Sequence, residues 1–111
     1  MTQSLSDTMA TTITIRGRKG QMLFFDEEDE RVFVWACSQL PSMLANDMRT
    51  VERCGKATHI IVERDHAVVE VETWQWTADR IANFLCMIYD SYFRRRYKRS
   101  GKQSEYEIKR D

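Results

Sequence analysis

Thr77 to Arg99 reads TADRIANFLCMIYDSYFRRRYKR, and the rest of the chain is organised around this stretch. Ile81, Phe84, Leu85, Ile88 and Tyr92 recur at i, i+3, i+4, i+7 and i+11, the spacing of one apolar face on an α-helix. Thr77 is placed to cap its start, although Arg80 stands where a capping box would have Glu or Gln. The stretch ends in Arg94, Arg95, Arg96, Lys98 and Arg99. A helix of this length spans roughly 34 Å, against roughly 20 Å for a six-residue strand. Its basic end should therefore overhang whatever sheet it packs on.

Upstream, Thr11 to Arg16 (TTITIR) alternates apolar and polar residues, the period of a half-buried strand. Gly17-Arg18-Lys19-Gly20 supplies a turn, and Gln21 to Phe25 (QMLFF) is expected to complete a hairpin. Asp26 to Glu30 (DEEDE) places acidic side chains at the positive end of a helix dipole. That helix continues through Val32, Phe33, Ala36, Cys37 and Leu40 until Pro41 interrupts it. A short helical piece over Ser42–Met48 and a connector over Arg49–Ala57 follow in this reading. His59–Glu63 and Ala67–Trp74 read as a second hairpin, with Val69, Val71 and Thr73 on one face and Glu70 and Glu72 on the other.

The order is ββαββα. The expected fold is α+β, a four-stranded antiparallel sheet with two antiparallel helices packed on one face. The expected organisation is a mobile arm over 1–10, a single domain over 11–99 and a disordered tail over 100–111. In this arrangement DEEDE lies at the same end as RRRYKR and partly neutralises it. The turn at 16–20 lies at the opposite end.

The formal net charge is zero, with Lys+Arg and Asp+Glu at 17 each. The charge is uneven: residues 1–93 hold 9 Lys/Arg and 14 Asp/Glu, and residues 94–111 hold 8 and 3. An acidic body with a basic end bears on partners. Three widely spaced cysteines without a Cys-x-x-Cys argue against a disulfide framework and for a reducing compartment. The N-terminal residues lack the apolar run of a signal peptide, and no run approaches the roughly 20 apolar residues of a membrane span. A cytoplasmic location is expected, or a nuclear one if the basic cluster acts as an address.

No paired carboxylates, nucleophile–base pair or metal-ligand spacing stands out. The expectation is a non-enzymatic chain with no cofactor and no metal. Cys54, His59 and His66 fit no zinc pattern. DEEDE lacks the alternating ligands and glycine of a calcium loop and reads better as a helix start. Two functions remain. The first is a protein-interaction module, a stoichiometric regulator or inhibitor, with homodimerisation as one form of such binding. Its contact residues would be Trp35 and Tyr89, which fall off the main helix stripes, and Trp74 and Trp76, since aromatic side chains anchor interfaces. The second is an RNA- or DNA-binding protein using Tyr92, Phe93, Arg94, Arg95, Arg96, Tyr97, Lys98, Arg99 and Lys102, where cations meet phosphates and aromatics stack on bases. The plainer account of that cluster is a solvated cationic helix end.

Overall fold

The computed structural model describes residues 9–40, 57–73 and 75–110. The expected helical piece over Ser42–Met48, most of the connector, Trp74 and residues 1–8 of the expected arm lie outside the described residues, as does the side chain of Trp76.

The elements run β1 (Met9–Gly17), a 3₁₀ turn (Arg18–Gly20), α1 (Glu27–Ser38), β2 (Ala57–Val62), β3 (His66–Thr73), α2 (Gln75–Tyr97) and β4 (Ser104–Arg110). The four strands form one antiparallel sheet in the order β2-β3-β1-β4. The fold is α+β with two helices, as the periodicities predict.

Two strand assignments change. The segment 21–25 is not a strand, so the first hairpin does not form. Its backbone groups go elsewhere: Gln21 N donates to Arg18 O, Leu23 N and Phe24 N both donate to Arg64 O, and Leu23 O accepts from Tyr89 Oη. Adjacent Leu23 and Phe24 are both buried, which does not fit a strand in a sheet with one open face. The fourth strand comes instead from the expected tail. Within 104–110, Ile13 lies opposite Ile108 and Ile15 opposite Tyr106. Met9 and Ala10, assigned to the arm, already belong to β1.

Period-2 alternation then sorts the sheet into two faces. Ile13, Ile15, Ala67, Val69 and Val71 point into the core with Phe33, Ala36, Cys37, Leu40, Ile81, Ala82, Leu85, Tyr89 and Phe93 from the helices. Glu70, Glu72, Glu105, Glu107 and Lys109 are exposed on the other side. The helices run antiparallel: Phe33 meets Tyr89, while Asp29, one turn earlier, meets Tyr92 and Arg96, further along α2. The helix α2 begins at Gln75, two residues before Thr77, so Thr77 is inside the first turn and not its cap.

The register decides which loops meet. β1 ends, β3 begins and β4 begins at one end of the sheet, with Arg16 opposite His66 and Gly17 opposite Ser104. The 3₁₀ turn, the start of α1 and the end of α2 are all gathered there.

Candidate functional site

That end is held together by a buried carboxylate. Asp26 is the N-cap of α1, its Oδ1 accepting from Asp29 N at 3.1 Å as capping requires. Asp29 is fully buried one turn into the helix. Its Oδ1 accepts from Tyr92 Oη at 2.5 Å and Arg96 Nη1 at 2.7 Å, and its Oδ2 from Tyr97 Oη at 2.6 Å and Phe25 N at 2.9 Å. Arg96 also clasps both oxygens of Asp26, at 2.9 and 2.6 Å. DEEDE and RRRYKR do meet, through these two aspartates.

The electrostatics follow from the contacts. Arg96 holds the Asp26 carboxyl below the usual carboxylate range, and its own guanidinium is held further toward the charged form. Burial, with Asp29 beside it, pushes the Tyr92 hydroxyl up to about 12. Tyr97 shifts up for the same two reasons.

This hub absorbs several residues expected to face a partner. Tyr92 and Tyr97 spend their hydroxyls on Asp29, Arg96 is ion-paired, and Phe93 is fully buried. Phe93 and Tyr97 lie 4.7 Å apart between ring centroids, and both pack on Phe25. The end of α2 therefore does not hang free: the 21–25 segment that failed to become a strand covers it. Tyr89, expected at an interface, is fully buried and donates to Leu23 O at 2.6 Å. Trp35 remains outside, 54% exposed, next to Val34 at 45%.

The other cations are differently placed. The turn at 16–20 is not at the far end of the molecule, because β1 pairs with β3 and β4 and not with 21–25. Arg18 N donates to Gln103 O at 2.9 Å, and Arg99 Nη1 reaches Gln21 Oε1 at 3.3 Å. Arg18 and Lys19 from the turn, Arg94, Arg95, Lys98 and Arg99 from the end of α2, and Lys102 from the following loop thus share one end. Among the described residues, none of these seven is in an ion pair with a carboxylate. Arg94 donates to Gly101 O, a neutral acceptor, and leaves its charge unneutralised.

One aromatic at this end escaped the sequence reading. Phe25 is 46% exposed, with the Arg99 guanidinium 6.0 Å from its ring centroid. In sequence it reads as the last residue of the expected strand over 21–25. The adjacent acidic run was the available signal that the chain turns away there.

Nearby, a cleft of about 510 Å³ lies between α2 and β4, lined by Arg18, Arg94 and Lys102 together with Cys86, Met87 and Tyr106. Its wall includes Asp90, almost fully buried, which accepts from Gln103 N at 3.1 Å and Ser104 Oγ at 2.5 Å. Burial pushes the Cys86 thiol up to about 11, so it stays protonated and unreactive near neutral pH. No helix among the described residues is long and apolar enough to cross a membrane. No protein-family model matches the chain, and a comparison with curated proteins finds no match.

Proposed function

We propose that the chain binds single-stranded nucleic acid, without strong sequence preference, at the basic end. The observation that carries this reading is the gathering of seven cations, none of them ion-paired among the described residues, from three chain segments at the end that also carries the exposed ring of Phe25, with Arg99 beside that ring. Cations of this kind take up phosphates and release counterions, and an exposed ring offers a stacking platform to any base. Contacts of cations with phosphates and of a ring with any base face are the same for every sequence, which is why little sequence preference is expected. The role of Arg96 and Asp29 is then to fix α1 against α2 so that Arg95, Lys98 and Arg99 project from a rigid base.

A mobility assay at low salt tests the reading. Replacing Arg95, Lys98 and Arg99 together by Ala should weaken binding of a poly-dT or poly-U strand by about a hundredfold or more, and Phe25→Ala by about tenfold or more. Equal retention of these variants and the parent chain, or no retention of the parent, sinks it.

A second reading, a protein-contact surface on α1, is supported by the adjacent exposed Val34 and Trp35. Trp35→Asp should abolish capture of such a partner and leave strand binding unchanged.

A further inference from the structure

The cleft between α2 and β4 has features that a plain electrostatic surface does not need. Its volume of about 510 Å³ falls within the roughly 300–1,000 Å³ of small-ligand sites. Its lining is divided by chemistry. Arg18, Arg94 and Lys102 contribute three positive charges from three separate segments. Met87, 60% exposed, and the half-buried Tyr106 contribute a polarisable and an aromatic surface.

The cations are not already spent. Asp90 in the wall is engaged by Gln103 and Ser104, and no ion pair joins it to Arg18, Arg94 or Lys102. Asp90 and Glu105 also line the cleft, so two carboxylates offset part of the three positive charges and one net positive charge remains. Tyr106 is held in place by its hydroxyl, which donates to Asp79 Oδ1 at 3.2 Å and accepts at 3.4 Å from Nδ2 of Asn83, another residue of the cleft wall. A fixed ring and a flexible thioether opposite a cationic wall suit a flat heteroaromatic group that carries a phosphate.

We propose that this cleft takes a nucleotide carrying a terminal phosphate monoester, with the phosphate on Arg18, Arg94 and Lys102 and the base against Tyr106 and Met87. The inference rests on the strand-binding reading, because the cleft opens beside the same basic end. It adds that the chain distinguishes the phosphorylated end of a strand from its interior. A monoester carries nearly two charges where an internal diester carries one, so a cleft lined by three cations against two carboxylates favours the end. The same chemistry is available in a free nucleoside monophosphate, and the test separates the two sources.

Binding of the intact chain is measured against four probes: a 5′-phosphorylated oligo-dT, the same strand with a 5′-hydroxyl, a closed single-stranded circle, and adenosine monophosphate as competitor. The phosphorylated strand should bind about tenfold tighter than the hydroxyl strand, the value of one added charge-assisted contact. Met87→Glu, at an exposed position whose change leaves the core intact, should erase that preference and weaken circle binding only by the small electrostatic effect of one added exposed charge. Equal binding of phosphorylated and hydroxyl strands, with no competition by the monophosphate, overturns the cleft assignment even while circle binding upholds the basic end. Saturable binding of the monophosphate, lost in Met87→Glu, with no retention of any strand upholds the cleft and overturns the strand reading. Failure of all four probes overturns both.

Discussion

Asp29 shows how much of one end of a fold can be organised by a single residue. In sequence it is the fourth letter of DEEDE, one acid among several at a helix start. In the fold it is fully buried and accepts four hydrogen bonds, from Tyr92, Arg96, Tyr97 and Phe25. Asp29→Ala would strand two tyrosine hydroxyls and a backbone N–H and leave Arg96 short of a partner. Chemical denaturation should show a loss of about 3–5 kcal/mol. Asp26 gives a pH signature. Its carboxyl is held low in the folded chain by Arg96, and Asp65 is held low by His66. On acidification the unfolded chain takes up these protons first. The stability contributed is therefore complete above the unfolded value near ~4 and drains away as pH falls through the folded values. Stability measured below about pH 4 should fall, and Asp26→Asn should flatten part of that fall. A pH profile unchanged by Asp26→Asn would contradict the link.

At the scale of elements, α2 and the β2–β3 hairpin were legible because their signals are long and regular. The alternation from Ala67 to Thr73 is buried on the predicted side, whereas on α2 the buried face runs through Ile81, Ala82, Leu85, Tyr89 and Phe93, displaced from the predicted stripe so that Phe84, Ile88 and Tyr92 are only half-buried. The segments 21–25 and 104–110 were exchanged. QMLFF carries strand-forming residues but spends its backbone hydrogen bonds on Arg64 and Tyr89, partners invisible to local pattern. SEYEIKR alternates correctly, yet its charged outer residues resemble those of a disordered tail, and only pairing with β1 stabilises it. That exchange also hid the site: Phe25 was assigned to a strand, and the turn cations to the wrong end. The end of α2 carries its own prediction. Lys98 sits at φ 52°, and Arg99 N donates to Arg94 O at 3.1 Å, the 6→1 bond of a Schellman cap. A side chain in this left-handed conformation is strained, so Lys98→Gly should raise stability by about 1 kcal/mol in thermal or chemical unfolding. The neighbouring turn has the opposite requirement. A Cβ on Gly17 would lie 1.9 Å from Gln21 O, so Gly17→Ala should destabilise the connection that brings Arg18 to the cleft.

For the molecule as a whole, the zero net charge conceals a strong asymmetry. Acids populate the open sheet face and the start of α1, and seven unneutralised cations occupy one end. If all seven engage phosphates, the logarithm of the affinity for a single strand should fall with the logarithm of salt concentration with a slope near about −5. A slope near zero would show that contact with the strand does not involve this end.

The pairing of β1 with β4 has a practical corollary. Thr11 lies opposite Arg110, at the end of the sheet away from Arg18, Arg94 and Lys102. Fluorophores or affinity handles carried near either position would report on binding without obstructing it. A circular permutant can be made by joining the end of β4 at Arg110 to the start of β1 at Met9 with a Gly/Ser linker and opening the chain at the exposed Lys19–Gly20 bond. It should keep the sheet order intact while severing Arg18 and Lys19 from the 21–25 segment that covers the end of α2, turning a covalent connection into a test of whether the basic end assembles by packing alone.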